Sequence, residues 1–574
     1  MVIDFLSVLN ESNSIKNEST GEITIKSPVL QINDKYQINS SCKITSNCDT
    51  VIKSDFFEIT ASSVSFSNIA FHTSLLIQDS NNITLTNCSI KNAKQSYGAI
   101  TIFNSKDVLL SHVTVTDTID IPGMFIYKNS SVAADHLLIH NITKSFIAIN
   151  SGSFISIKDS TFHHTKRNAI YMADHSSIEI FNSSFYDIAY PGFFFENSQC
   201  VIKNNTFQNI SENAIILHSS KDFLIDQNIF NQIGDSAIQI SDESIGTVSS
   251  NTIYGIKGNG IYCYNSNIQV KNNEIYDLTY PAIAVATKST ASLFENKIRD
   301  IKCSGICVRH AKDVKIESTQ IENIEESGIS ISDTENCIVE NNLITNCKIA
   351  SIEAYNGSKV YVKSNIINHI ENQAFLIFTS GFMKAEKNDI KDVKCEMVKL
   401  SYKGGGEFLN NNVSGCLKQC DCQTSSSYFF SGNGTFKSVT NDHSRLSNDN
   451  LILFDNSFID GEVMCMKCHV KKRNCFLLNC GHKAFCQECA EIALKNNEHC
   501  PLCRFQIVNV SDGFGSSFDD TCIICCENRP DCIILPCGHI GVCTTCLENW
   551  INANQSCPIC RARPCIYKQI VHDI

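Results

Sequence analysis

The sequence predicts an all-β protein: a long solenoid of stacked parallel strands, followed by two small domains built around bound metal. Three observations carry this reading. Small and bulky apolar residues recur in fixed columns between residues 123 and 374. Of 31 cysteines, 13 lie in residues 1–464 and 18 crowd into the last 110 residues. Fourteen of those late cysteines, with two histidines, fall into two sets that superimpose with an offset of 57.

The first column runs Gly123, Phe146 (a bulky exception), Ala169, Gly192, Ala214, Ala237, Gly260, Ala282, Gly305, Gly328, Ser351 and Ala374. That is eleven steps over 251 residues, a mean near 22.8. A second column runs from Phe162, Phe185, Phe207 and Phe230 through Ile253, Ile275, Ile298, Ile321, Ile344 and Ile367 to Ile390. A third is polar: Asn205, Asn228, Asn251, Asn273, Asn296, Thr319, Asn342, Asn365, Asn388 and Asn411. Columns sharing one period of this size mark a repeat architecture. Within a repeat, Ala237-Ile-Gln-Ile-Ser and Ile268-Gln-Val-Lys-Asn-Asn-Glu-Ile alternate apolar with outward residues, as strands do. Stacked coils then place Ile on Ile inside and Asn amides against the coils above and below. A leucine-rich repeat has a similar period. Against it, Ile and Phe hold the consensus positions, and a second β alternation replaces the helical half. The repeat resembles the right-handed parallel β-helix of pectin-lyase-like proteins, over about residues 75–415, with weaker β-rich sequence back to about residue 20.

In the tail, Cys465, Cys468, Cys480, His482, Cys486, Cys489, Cys500 and Cys503 recur as Cys522, Cys525, Cys537, His539, Cys543, Cys546, Cys557 and Cys560. Each set reads C-x2-C-x11-C-x-H-x3-C-x2-C-x10-C-x2-C. A C-x2-C pair holds two thiolates on one tight turn, one edge of a tetrahedral Zn²⁺ site. Four half-sites per copy predict two zincs per copy and four per chain. A domain this small takes much of its folding energy from the metal. Cys475, Cys526, Cys532 and Cys565 fall outside the spacing and read as free or buried thiols. Cys416, Cys420 and Cys422 lack a partner pair at metal spacing.

The spacing resembles the RING finger of ubiquitin ligases. The resemblance implies a cross-brace. One zinc of the second copy would take Cys522, Cys525, Cys543 and Cys546, and the other Cys537, His539, Cys557 and Cys560. The first copy would use Cys465, Cys468, Cys486 and Cys489, then Cys480, His482, Cys500 and Cys503. It also implies a shallow groove for a ubiquitin-conjugating enzyme, made here by Ile524, Trp550 and Pro558. Arg561, just after the last ligand, would contact the donor ubiquitin and serve as the catalytic residue. The first copy departs: it has Lys467 for the aliphatic residue and Ala493 for the bulky one, while keeping Pro501 and Arg504. The expected activity is that of a RING-type E3 ubiquitin transferase, with no covalent intermediate on this chain. The β-helix would recruit a protein substrate. A non-catalytic zinc-binding scaffold is the alternative, and a sugar-acting β-helix a further one. For the last, the candidate carboxylate pair is Asp277 and Asp300, in one column of turn residues that reads as structural, and the Asp-Asp, Gly-His-Gly and Arg-Ile-Lys signatures of pectin-lyase-like enzymes are absent.

Bulk properties agree. With 43% apolar and 18% charged residues, the 574-residue chain can bury a core. A net charge of −12 argues against nucleic acid as the main partner. No apolar run reaches the roughly 18–20 residues of a membrane span, and the start lacks a basic n-region, so a cytoplasmic protein is expected. The expected organisation is an N-terminal segment 1–20, a β-helix 21–415 and a linker or cap 416–463. A first finger 464–507, a linker 508–520, a second finger 521–565 and a tail 566–574 follow.

Overall fold

The structure, a computed structural model, describes residues 2–9, 14–17, 20, 22–31, 35–94, 97–422 and 426–433 in the coiled region. In the tail it describes 465, 467–468, 475–477, 485–499, 507, 510–511, 532–535, 539–540, 542–554 and 566–569. The chain divides into two compact units, Met1–Leu446 and Ser447–Ile574.

The first unit is a parallel β-solenoid of about 17 turns. A typical coil has three strands, such as Ile238–Ser241, Ile245–Ser249 and Thr252–Ile256. The next coil repeats them as Ile261–Tyr264, Asn267–Lys271 and Glu274–Leu278. Pairing is parallel and in register, Ile238 with Ile261, Val248 with Val270, Ile253 with Ile275. One strand per coil stacks into a 19-stranded sheet. No helix stands in the described coils, which excludes the leucine-rich alternative.

The sequence columns are the stacking axes. Phe162 pairs with Phe185, Phe185 with Phe207, and so on without a slip to Ile367 and Ile390. These side chains are at most 1% exposed, so period-2 alternation has sorted each strand into an inward and an outward face. The polar column is buried too. Asn228 donates its side-chain amide to Asn251 Oδ1 at 3.0 Å and to the Ile202 carbonyl at 2.9 Å. Asn251, Asn273, Asn342, Asn365 and Asn388 repeat the pattern toward the next coil. Thr319 interrupts the ladder, its hydroxyl bonding the Glu317 carbonyl instead.

The Asp277–Asp300 column has a backbone cause. Its members from Asp187 to Asp392 all sit at φ between 51° and 64°. Asn, Asp and Gly tolerate that left-handed corner best. Asn323 donates to Asp300 at 3.0 Å and Asn346 to Asn323 at 3.0 Å, so the column forms a surface ladder of its own.

The solenoid extends past the expected bounds at both ends. Val2–Asp4 pairs with Lys35–Ile38 as a first strand. The short helix α1 (Phe5–Val8), capped by the Asp4 carboxylate on the Leu6 amide at 3.2 Å, inserts Phe5 among Tyr36, Phe57 and Phe66. That plug closes the apolar end of the stack. At the other end, Lys418–Cys422 and Ser427–Ser431 add strands within the stretch expected as linker or cap. Cys420 and Cys422 are joined to each other, and Cys416 is buried.

Candidate metal centre

The second unit is small and built twice. In the first copy, strand Phe476–Leu477 pairs antiparallel with Val510–Ser511, and helix α2 (Gln487–Lys495) follows Cys486. In the second, strand Cys532–Leu535 pairs with His539–Ile540 and Ile566–Gln569, and helix α3 (Thr544–Asn554) follows Cys543. The 57-residue offset holds in the backbone. Phe476 faces Ser511 as Ile533 faces Lys568, and Leu477 faces Val510 as Ile534 faces Tyr567. Ala490 N donates to the Cys486 carbonyl at 2.9 Å as Leu547 N does to Cys543 at 3.0 Å. These pairings draw residues 510–511 and 566–569 into the fingers' sheets, although the spacing of ligands alone left them in a linker and a tail.

Four thiols converge in the first copy. Cys486 is the N-terminal cap of α2, and Cys489 lies one turn further on, so both sulfurs leave one end of the helix. Cys465 and Cys468 flank a tight turn facing them. One sulfur from each lies within 4.8 Å of the other three, and Cys468 Sγ is 3.9 Å from Cys486 Sγ. Sulfurs bound to zinc at about 2.3 Å stand about 3.8 Å apart in a tetrahedron. The donor set, its spacing and its burial therefore fit Zn²⁺. Cys465, Cys486 and Cys489 are buried, with Ala490, Ala493, Leu477, Phe485 and Ile507 packed around them.

The electrostatics suit a metal as well. Burial pushes the Cys465 thiol up, but backbone amides of Cys468, Cys486 and Lys467 outweigh it and bring the pKa down to about 6. Cys489 is pushed up to about 12, by burial first and then by neighbouring thiols that cannot all ionise together. A dication removes that conflict.

The structure brings together one of the four expected ligand sets. Cys480, His482, Cys500 and Cys503 lie outside the described residues. In the second copy Cys522, Cys525, Cys537, Cys557 and Cys560 also lie outside. So do Ile524, Pro558 and Arg561, and likewise Pro501 and Arg504 of the first copy. His539 is described as strand backbone only. Cys543 is buried, Cys546 is half-buried, and they take the places of Cys486 and Cys489. The extra thiol Cys475 is buried in the first copy's core, as expected of a thiol off the metal.

The residues beside the ligands differ between copies. Trp550 is half-buried on α3, while the equivalent Ala493 on α2 is fully buried. Lys467 forms a two-pronged ion pair with Glu498. That pair was not legible in the sequence, since 31 residues separate the partners.

On the solenoid, a groove of about 930 Å³ runs beside the left-handed column, lined by Asp300, Glu325, Lys348, Glu371 and Lys394 among others. Of the outward aromatic residues, Tyr171 and Phe194 stack at 5.9 Å. Tyr355, in strand Ala350–Tyr355, is only 1% exposed. No helix among the described residues is long and apolar enough to cross a membrane.

Comparison with known proteins agrees with both units. The C3HC4-type zinc finger (RING finger) model matches residues 461–510 and 518–564. Over 75 residues the chain is 33% identical to the E3 ubiquitin-protein ligase MGRN1 of Homo sapiens, covering 13% of this chain and 12% of that protein. Over 43 residues it is 44% identical to RING finger protein 141 of Gallus gallus, covering 8% and 18%. Over 57 residues it is 39% identical to the E3 ubiquitin-protein ligase NEURL3 of Mus musculus, covering 10% and 22%. The chain thus spans less than a quarter of each of these relatives, in short RING-region matches. Among solved structures, the mannuronan C-5 epimerase AlgE6 A-module of Azotobacter vinelandii is 11% identical. It covers 63% of this chain and 90% of its own, with a TM-score of 0.33, a likeness too remote to bear on activity. The right-handed β-helix model matches residues 29–177, 145–292 and 281–436, well over half of the chain, and the protein belongs to the right-handed β-helix family, with two RING-type zinc fingers in its tail.

Proposed function

We propose that the protein is a RING-type E3 ubiquitin ligase that takes its substrate on the β-helix. The observation that carries the reading is the finger built twice on one 57-residue plan, with four converging thiols and RING-region likeness to E3 ligases. Two zincs hold each finger, through the sixteen ligands paired as above. The second finger binds a ubiquitin-charged conjugating enzyme through Ile524, Trp550 and Pro558, and Arg561 steadies the donor ubiquitin. No nucleophile on this chain is required. The chemistry is positioning, which removes entropy from the attack of a substrate lysine on the thioester.

The difference between copies favours the second as the active finger. A half-buried Trp550 offers an apolar anchor of the kind that dominates interfaces. The first copy turns its corresponding Ala493 into its own core and carries a charged pair at Lys467, the equivalent of Ile524. It serves as a structural or dimerising module. Reconstitution of the full chain with a ubiquitin-activating enzyme, a panel of conjugating enzymes, ubiquitin and ATP tests the proposal. Chain formation with at least one conjugating enzyme is expected. Its absence across the panel, with zinc fully bound, would leave the non-catalytic scaffold as the better account.

A further inference from the structure

We propose that His112, Asp135 and His136 form a metal site on the β-helix, separate from the fingers, for a divalent transition ion that favours imidazole, such as Ni²⁺ or Zn²⁺. The site arises where the same corner of two successive coils meets. His112 follows strand Lys106–Ser111 and His136 follows strand Ser131–Asp135. Ser111 pairs with Asp135 across the two coils, and His112 N donates to the Asp135 carbonyl at 3.0 Å. Both histidines take the left-handed conformation, at φ 55° and 53°. Their rings are therefore carried in parallel, with centroids 4.4 Å apart and planes 4° apart.

Asp135 completes the set. Its Oδ2 is 3.1 Å from His136 Nδ1 and 2.9 Å from Ser111 Oγ, and Ser111 Oγ is 3.1 Å from His112 Nδ1. One donor atom from each of the three residues lies within 4.8 Å of the other two. Donors on one ion at about 2.0–2.2 Å stand at most about 4.4 Å apart. An imidazole lone pair lies in its ring plane, so the two parallel rings must tilt toward each other by roughly tens of degrees to share one ion, and both rings are exposed enough to do so.

The backbone alone does not ask for histidine here. Corners in the same column are held at similar angles by Asn87, Asp159, Asn182 and Asn204. Two imidazoles on adjacent coils beside a carboxylate are a donor set that suits nickel, copper and zinc rather than calcium or magnesium. Three protein donors leave coordination positions open to water or to a side chain of a partner.

The test uses the full-length, zinc-loaded chain and Ni²⁺ as probe. Elemental analysis after equilibrium dialysis should find one Ni²⁺ per chain with the zinc content unchanged. His112→Gln and His136→Gln should each weaken binding by about tenfold or more, and Asp135→Asn by less. Carbethoxylation read by mass spectrometry should show Ni²⁺ protecting His112 and His136 but not the exposed His175. The footprint uses the unaltered protein, so it decides the matter even if a variant misfolds. Absence of bound Ni²⁺ would overturn the proposal. Undiminished binding in both histidine variants, with protection moved to the neighbouring His163 and His164, would overturn it equally.

Discussion

Lys467 Nζ lies 2.6 Å and 2.7 Å from the two carboxylate oxygens of Glu498. The pair sits in the first finger, at the position where the second has Ile524. It holds the Glu498 carboxyl below the usual carboxylate range. An exposed pair of this kind contributes at most about 1 kcal/mol to stability. Its main effect is to make that surface polar. Lys467→Ala should accordingly shift melting little and leave ubiquitin transfer intact. Loss of transfer in that variant would mean that the first finger is the active one.

The two arginines after the last ligands separate the fingers further. Arg561→Ala should slow ubiquitin transfer while binding of the conjugating enzyme changes less. Arg504→Ala should have a smaller effect on transfer. The measurement is autoubiquitination together with affinity for the conjugating enzyme. A dominant effect of Arg504→Ala would reverse the assignment.

Zinc should number four per chain by elemental analysis. Cys486→Ser should lower it by at least one, because the residue supplies one of four converging sulfurs. A strong chelator should abolish transfer but leave the melting of the β-helix in place, since stacked apolar columns and the Asn ladder hold its coils. Two zincs or fewer in well-folded protein would contradict the sixteen-ligand account.

Asn296→Leu should destabilise the solenoid. Asn273 donates both its backbone amide, at 3.1 Å, and its side-chain amide, at 3.0 Å, to Asn296 Oδ1. Removing that acceptor leaves the buried Asn273 backbone amide unpaired, at about 1–3 kcal/mol, while its side-chain amide keeps the Val248 and Lys271 carbonyls. Thr319→Asn tests the converse. It would close the one break in the ladder, and a gain of about 0.5–1.5 kcal/mol is expected for a hydrogen bond restored there. Thermal melting of both variants checks the pair.

Much of this architecture is legible in the sequence because a solenoid stacks like on like. Ile253 lies over Ile275 in space, so the column appears as a period in the chain. The ligand spacing is legible for a similar reason: tetrahedral geometry leaves few ways to place two thiolates on one turn. Other features left no such trace. Val510–Ser511 and Ile566–Gln569 are too short to show alternation, and both lie beyond the last ligand of their finger. Phe5 closes the stack from a segment that precedes the repeat. The His112–Asp135–His136 corner arises from one turn in two coils, too brief to form a column. Tyr355 occupies an outward register position next to Glu353, yet both are buried, a burial that period-2 alternation does not foretell.

The most direct measurement is single-turnover discharge of ubiquitin from a charged conjugating enzyme to free lysine, comparing the full chain with its Trp550→Ala variant. Trp550 is not a ligand, so zinc content should stay equal in the two proteins while the variant loses nearly all stimulation of discharge. Undiminished discharge by Trp550→Ala with zinc intact would contradict the assignment of the second finger as the site that positions the thioester.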